Sequence, residues 1–157
     1  MKVRVLCISK TTESYIQEGM DDFKKRLQHF CKLEWVELPD VKNRKNLSKE
    51  KLLATEEESF LKLLKNNDVV YLLDENGKSY SSRKFASFIE SRMMDAGGSI
   101  TFLIGGPYGF SENIYRRANG KISLSAMTFT HQMVRLFFLE QIYRAFSIIK
   151  KLPYHHD

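Results

Sequence analysis

Disulfide bonds are not part of the architecture that this sequence predicts. It has two cysteines, Cys7 in a strand-like segment and Cys31 at the end of a helical pattern. Domains held together by disulfides carry several cysteines and occur in oxidising compartments. We therefore interpret both residues as buried free thiols and expect the protein to lie in the cytoplasm.

Long uninterrupted apolar runs are also missing. The longest apolar stretch, 133–149, contains Arg135, Glu140 and Arg144, and ionised side chains are costly inside a bilayer. The apolar stretch 3–8 is too short for a signal peptide and is interrupted by Arg4. We therefore expect neither a membrane span nor a secretion signal.

Several familiar binding motifs are absent from the sequence. It has neither a G-x-G-x-x-G fingerprint nor a G-x-x-x-x-G-K-[ST] phosphate loop. The histidines and cysteines lack the spacing of metal ligands, so we predict no metal site. No Ser/His/Asp constellation stands out either. The four histidines are His29, His131, His155 and His156.

Linkers, repeats and low-complexity segments are missing as well, so residues 1–157 are predicted to form a single domain. Strand-like and helix-like segments alternate along the chain. This alternation predicts an α/β fold with a mainly parallel sheet and helices on both of its faces. The predicted strands are 2–8, 33–38, 69–73, 100–104 and 121–124; the predicted helices begin at Thr11 or Thr12, Ser48, Ser81 or Ser82, and Ser111, and the last spans 133–149.

Three polar segments between or within these elements have simple interpretations. Residues 41–48 are polar and basic, and they are predicted to form a mobile loop. The acidic run 56–58 is predicted to be a solvated helix face. Asn76-Gly77 is a turn signal, so the preceding strand is expected to end at about Leu73.

The stretch 99–143 carries the strongest functional signals. A buried strand ends at Gly105 and Gly106, and a loop with so little side-chain bulk lets a ligand approach the backbone. A second passage from strand to loop to helix follows at 121–130. Two such loops at the ends of neighbouring strands predict a cofactor crevice.

The last helix and the charge distribution suggest partners. Apolar residues lie nearly all round the helix at 133–149, so we expect a second copy of the chain to cover it in a homodimer. The net charge is +6, and the segment 113–156 has seven lysines and arginines against Glu140 alone. Such a surface would attract a polyanion, although a solvated basic face would have the same composition.

Four segments, in this order, resemble the SPOUT methyltransferases. They are F-L-I-G-G-P-Y-G-F at 102–110, I-S-L-S-A-M-T-F-T-H-Q-M-V-R at 122–135, L-E-Q-I-Y-R-A-F at 139–146 and P-Y-H at 153–155. Within that group the chain resembles a family that uses S-adenosylmethionine to methylate N3 of a pseudouridine in helix 69 of large-subunit ribosomal RNA. The resemblance implies a homodimer whose C-terminal segment forms a trefoil knot. The sequence leaves open whether free ribosomal RNA or only the assembled ribosome is the substrate, and the small positive charge of the chain favours the ribosome.

The resemblance also implies where the cofactor binds, on three loops at strand ends. The alternative for the apolar residues is that they belong to the core, and the glycines could only close a tight turn. Because the methyl donor is already activated, no metal is required. The implied cofactor residues are Leu73, Gly105, Gly106, Leu124, Ser125, Ala126, Met127, Thr128 and Phe129.

The resemblance places Tyr154 and His155 on the substrate side, as catalytic and RNA-binding residues. Tyr154 could stack on or hydrogen-bond the target base, and His155 could bind phosphate or accept a proton; the alternative is a frayed terminus. Arg135 and Arg144 are predicted to contact RNA or the other subunit. The sequence departs from the family pattern at Thr130 and at the terminal pair 156–157.

A second functional hypothesis is a basic dimer that binds ribosomal RNA without catalysis. It requires that affinity for the cofactor has been lost. The intact glycine loop and the L-S-A-M-T-F loop at 124–129 favour the enzyme.

Overall fold

The computed structural model describes residues 1–95 and 97–156, in which strands and helices alternate along the chain. The strands are β1 (Lys2–Ile8), β2 (Lys32–Leu38), β3 (Val70–Ser79), β4 (Ser99–Ile104) and β5 (Gly120–Ser123). The α-helices are α1 (Ser14–Leu27), α2 (Lys49–Leu61), α3 (Ser82–Met94), α4 (Glu112–Arg117) and α5 (Met133–Ile149).

The five strands form one sheet in the order β2-β1-β4-β3-β5, and every paired neighbour runs parallel. β1 and β4 lie in its interior and are almost fully buried. Their near-continuous apolar sequences suit strands that are covered on both sides. The predicted parallel α/β fold is therefore confirmed.

Helices cover both faces of this sheet, as predicted. On one face, α1, α3 and α5 pack through residues such as Ile16, Phe85 and Phe138. On the other face, α2 and α4 pack through Phe60 and Ile114. Alternate strand residues serve the two faces, so each face has its own apolar core.

The two loops expected at neighbouring strands follow strands that are not neighbours. β3 lies between β4 and β5, and it pairs with both. The crossover that inserts β3 is a long-range feature, so local patterns did not reveal it. The loops after β4 and β5 therefore flank the end of β3, and three strand ends meet instead of two.

The start of α1 also differs from the prediction. The helix begins at Ser14 after Glu13, and neither Thr11 nor Thr12 caps it. The Thr11 hydroxyl instead donates to Glu37 Oε1 at 2.6 Å. The Thr11 side chain was predicted to cap α1, but it forms a tertiary hydrogen bond with Glu37 instead.

β3 continues through the predicted turn at Asn76-Gly77. Leu73 and Lys78 both align with Ile122 of β5, so the residues between them leave the regular register. At Gly77 a Cβ atom would lie 2.6 Å from the backbone of Ile122. The glycine is therefore required by close approach of two strands.

The acidic run on α2 is only partly solvated. Ser48 caps this helix as predicted and accepts a hydrogen bond from the Lys51 amide. Glu56, however, is 4% exposed, and burial raises the pKa of its carboxyl. The prediction of a solvated face was wrong for this residue, because the helix turns it toward the loop that follows β4.

α5 has the predicted bounds, and its own chain covers much of it. It packs between α1 and α3, and Phe138, Ile142 and Phe146 are fully buried there. Phe137 remains 42% exposed beside Phe129. None of the helices in the described residues is long and apolar enough to cross a membrane.

Candidate active site

A cavity of about 790 Å³ opens where the carboxyl ends of β4 and β5 flank the break in register of β3 after Leu73. This edge of a parallel sheet is the usual place for a ligand in open α/β folds. The loops after β4 and β5 form most of its wall. Its lining includes Leu73, Asp74, Ile104, Gly105, Gly106, Tyr108, Tyr115, Ile122, Leu124, Ser125, Met127, Thr128, Phe129, His131 and Val134.

The glycine loop after β4 is tightly closed. The Gly109 amide donates to the Gly106 carbonyl at 3.1 Å, and Gly109 has a φ of 75°, which favours glycine. A Cβ atom on Gly105 would lie 2.7 Å from the Gly109 carbonyl oxygen. The glycines therefore close a tight turn and also let a ligand approach the backbone, because the turn exposes its main chain to the cavity.

The loop after β5 is held by its own serines. Ser123 Oγ donates to the Ser125 carbonyl at 2.9 Å, and the Met127 amide donates to Ser125 Oγ at 3.0 Å. This loop leaves Met127 78% exposed and Phe129 38% exposed beside the cavity. An exposed apolar wall of this kind offers contacts to a ligand or to a second chain.

Eight of the nine predicted cofactor residues line this one cavity. Ala126 does not contribute to the lining, although both of its neighbours do. Asp74 and Tyr115 are additional members that the sequence reasoning did not select. The Tyr115 hydroxyl donates to Asp74 Oδ2 at 2.6 Å, and burial with this carboxylate raises the pKa of Tyr115 to about 12.

His131 and Arg135 connect the second loop to the rest of the core. His131 lines the cavity, and burial lowers the pKa of its imidazole, so it is neutral at pH 7. Arg135 is fully buried. Its guanidinium donates to the His131 carbonyl at 2.9 Å, to the Ile8 carbonyl at 2.6 Å and to Thr11 Oγ1 at 2.9 Å.

The C-terminal tail forms a separate cluster on the last turns of α5. The Tyr154 hydroxyl donates to Glu140 Oε1 at 3.0 Å, and the Tyr154 ring packs against Tyr143. Arg144 donates to the same carboxylate at 3.0 Å and lies over the Tyr154 ring. The tail is thus held by side-chain interactions and is not frayed at Tyr154.

The tail cluster also contains a contact between Arg144 and His155, and the Tyr154 phenol in it has a raised pKa. Arg144 Nη1 lies 3.2 Å from His155 Nδ1, and a guanidinium can only donate. Nδ1 therefore accepts this bond. Burial, followed by the bond to Glu140, raises the pKa of Tyr154, so this phenol is protonated at neutral pH.

The tail cluster lies outside the cavity. Val134 lines the cavity, whereas Tyr154 and Arg144 bind Glu140, six positions further along α5 and about 9 Å away along the helix axis. Neither Tyr154 nor His155 is among the residues that line the cavity. The structure of one chain therefore does not bring Tyr154 and His155 to the cavity.

Comparison with known proteins identifies the family of this chain. The family model described as "Predicted SPOUT methyltransferase" matches residues 1–155. The chain belongs to the SPOUT methyltransferase family. A curated relative from Christiangramia forsetii, named ribosomal RNA large subunit methyltransferase H, is 49% identical over 156 residues, with 99% of each chain covered. A relative of the same name from Cytophaga hutchinsonii is also 49% identical, over 99% of this chain and all of its own.

A solved structure supports the fold of this SPOUT methyltransferase. The chain titled "Probable Methyltransferase" from Bordetella pertussis Tohama I superposes with a TM-score of 0.59. The match covers 92% of this chain and 93% of that one, at 10% sequence identity. At this identity the likeness concerns the fold alone.

Within this SPOUT methyltransferase, the structure separates the two arginines that were predicted to bind RNA. Arg144 is partly exposed in the tail cluster. Arg135 has no exposed surface, and its donors are used by main chain and Thr11 of its own subunit. We therefore withdraw Arg135 from the RNA-binding prediction, because a buried and fully bonded guanidinium cannot also contact phosphate.

Proposed function

We propose that this chain is an S-adenosylmethionine-dependent methyltransferase that methylates N3 of a pseudouridine in helix 69 of large-subunit ribosomal RNA. The name of the two curated relatives supports methylation of large-subunit ribosomal RNA. The particular base rests on the family resemblance described above. The observation that carries the proposal is the cavity at the ends of β4, β3 and β5.

The residues that line the cavity fit the proposed cofactor. Its volume lies within the range of small-molecule sites. Leu73, Leu124 and Met127 provide an apolar slot for an adenine ring, while the glycine loop offers main-chain groups. S-adenosylmethionine supplies a methyl group on a positively charged sulfur, so attack by a ring nitrogen needs no further activation of the donor.

The protein must still orient the base and remove the N3 proton. We assign these tasks to the tail cluster. The Tyr154 oxygen has lone pairs free to accept from a base N–H, and its own proton already points to Glu140. The Glu140 carboxylate is thus an acceptor to which the proton can pass, while His155, held by Arg144, is assigned to contacts with the RNA.

The separation of cavity and tail implies a site made by two subunits. Because neither Tyr154 nor His155 lines the cavity of its own chain, we infer that the tail of one protomer serves the cavity of its partner. The exposed aromatic pair Phe129 and Phe137 is available to such an interface. Homodimer formation and the C-terminal trefoil knot are part of this proposal.

Two measurements test the proposed activity directly. Isothermal titration should detect binding of S-adenosylmethionine at sub-millimolar concentration, and labelled methyl groups should enter large ribosomal subunits. Mapping the modified nucleotide tests the assignment to pseudouridine. Binding to ribosomes without uptake of label would instead favour the non-catalytic RNA-binding protein.

Mixed dimers test the two-subunit site. Gly105→Val is expected to disable the cavity, and Tyr154→Ala is expected to disable the tail. When both inactive variants are mixed and allowed to exchange subunits, half of the dimers are hybrids with one intact site of two. Activity should then return to about a quarter of the wild-type value. No recovery in a mixture with proven exchange would show that cavity and tail act within one chain.

A further inference from the structure

The segment 41–51 concentrates positive charge in a short stretch of surface. It contains five cationic residues and one acidic residue, Glu50. The segment comprises the loop before α2, with a short 3₁₀ turn at Arg44–Asn46, and the first residues of α2. We call it the basic segment. Its cations are Lys42, Arg44, Lys45, Lys49 and Lys51.

The cations of the basic segment form no ion pair with a carboxylate among the described residues. In residues 1–95 and 97–156, no carboxylate lies within 4.0 Å of any of the five. Cations elsewhere on the surface do have such partners, among them Lys2 with Glu34, Arg26 with Asp22 and Arg116 with Glu112. A cluster of unpaired like charges repels itself and favours binding of an anion.

The basic segment borders the cavity. Lys49 lines it, and the Lys49 ammonium lies 5.8 Å from the centre of the Tyr108 ring. Tyr108 lines the cavity as well and is 55% exposed. Arg44 lies close enough to Glu56 and His131 for its charge to act on both groups, although burial has the larger effect on the pKa of each. The positive charge therefore lies beside the entrance to the proposed cofactor site.

We propose that the basic segment and Tyr108 form a docking surface for RNA at the mouth of the cavity. The cations bind phosphates next to the target nucleotide, and the exposed tyrosine stacks on an unpaired base. This inference rests on the proposed function and adds residues that bind the substrate. RNA is the occupant because it joins closely spaced anionic groups to flat aromatic bases, which are the two features this surface complements.

A triple variant tests the phosphate contacts. Lys42→Ala, Lys45→Ala and Lys51→Ala remove three exposed charges from residues that do not line the cavity. Affinity for large ribosomal subunits and for a helix 69 hairpin should fall about tenfold near 0.1 M salt. The slope of log affinity against log salt should fall by about two to three, because each phosphate contact contributes about 0.7–0.9. Affinity for S-adenosylmethionine should not change.

The matched control removes three other exposed lysines. Lys25→Ala, Lys32→Ala and Lys65→Ala alter the net charge by the same amount at the opposite end of the sheet, near the end of α1, at the start of β2 and before β3. This variant should bind RNA with nearly the wild-type salt slope. Equal losses in both triple variants would reduce the effect to net charge and overturn the proposal.

Tyr108 is tested by a pair of variants. Tyr108→Ala should weaken RNA binding at least about fivefold, the lower end expected for loss of one stacked base. Tyr108→Phe keeps the ring and should bind like wild type. Wild-type affinity in Tyr108→Ala would contradict the stacking role.

The remaining outcomes separate this inference from the proposed function. If the wild-type protein binds large subunits but transfers no methyl group, the proposed function fails, and the binding measurements still decide the docking surface. If the triple variant binds RNA with wild-type affinity and salt slope, the docking surface is wrong and the methyltransferase proposal is unaffected. Loss of binding to ribosomes but not to the hairpin would assign the basic segment to a ribosomal protein instead.

Discussion

The cavity and the tail cluster are built in different ways. The cavity wall consists of glycine main chain and apolar side chains at three strand ends. The tail cluster is a network of charged and polar side chains centred on Glu140. The sheet and the rest of the fold position the main chain of the cavity wall. The hydrogen-bond network of the tail cluster, in contrast, depends on each of its side chains. The cavity should therefore respond to changes in shape and support, and the tail to changes in single functional groups.

The largest expected effect is a loss of stability on removal of the buried Arg135 charge beside the cavity. Arg135→Met removes three hydrogen bonds and leaves Glu37 without its buried cation. Breaking a buried, hydrogen-bonded charge in this way costs about 3–5 kcal/mol. The free energy of unfolding in urea should fall by that amount. Arg144→Met on the same helix is the control, and its partly exposed ion pair should cost less than about 1 kcal/mol.

The second effect concerns the shape of the glycine loop. A side chain at Gly105 meets the Gly109 carbonyl and the Phe110 ring, whereas one at Gly106 meets the end of the Glu56 side chain. Gly105→Val should therefore weaken binding of S-adenosylmethionine by at least about 100-fold, a loss of about 2.7 kcal/mol. Gly106→Ala should lose much less, because a flexible carboxylate can move. Isothermal titration measures the affinity for S-adenosylmethionine, and thermal melting shows whether each variant is still folded. Equal affinities in the two variants would contradict the placement of the cofactor site beside Gly105.

A smaller effect tests the dependence of the tail on single groups. Tyr154→Phe removes the hydrogen bond to Glu140 but keeps the ring against Tyr143 and Arg144. Methyl transfer should fall about tenfold, which corresponds to one lost hydrogen bond to a charged group, while affinity for the cofactor stays the same. Tyr15→Phe, at an exposed tyrosine of α1, is the control. Full activity in Tyr154→Phe would remove the hydroxyl from the mechanism.

The smallest effect concerns the carboxyl beneath the glycine loop. Glu56 is buried without a hydrogen-bond partner among the described residues, and its pKa lies above the ordinary value of 4.5. Folding therefore favours its protonated form, so the wild-type protein loses stability as pH rises through this raised pKa. Glu56→Gln should gain on the order of 1 kcal/mol at pH 7.

The pH dependence distinguishes this explanation from a general effect of the substitution. The gain from Glu56→Gln should shrink as pH falls below 4.5 in urea unfolding, because the wild-type carboxyl is then protonated in both states. Glu58→Gln alters an exposed residue of the same helix that pairs with Lys62. Its effect should stay within about 0.5 kcal/mol. A gain in Glu56→Gln that does not vary with pH would contradict the role of charge.

Local sequence patterns predicted most of the fold because most elements here have local causes. Apolar runs placed the strands, and serine caps at Ser48, Ser81 and Ser111 placed three helix starts that the structure confirms. The mistakes arose where distant segments meet. Thr11 hydrogen-bonds to Glu37 instead of capping α1, and the insertion of β3 between β4 and β5 has no local signature.

The same distinction applies to the candidate site. The glycine loop and the loop after β5 are continuous motifs, and eight of the nine cofactor residues that the family resemblance implies line the cavity. Arg135 was predicted to contact RNA or the other subunit. Its actual partners, the carbonyl of Ile8 and the hydroxyl of Thr11, lie more than 120 positions away along the chain, so local sequence did not indicate them. The unpaired charges of residues 41–51 also needed the structure, since composition does not show which charges have partners.

Arg135 and Gln132 bind the loop after β1, so the cavity beside them can form only after most of the chain has been synthesised. Gln132 accepts from the Thr12 amide and donates to the Lys10 carbonyl, so residues from the two ends of the chain are joined beside the cavity. These contacts cannot form until the chain has been synthesised through residue 135, and closing so long a loop is slow. A ribosome making this protein will therefore release nearly the whole polypeptide before a binding-competent pocket exists, and truncated products of translation should not sequester the methyl donor.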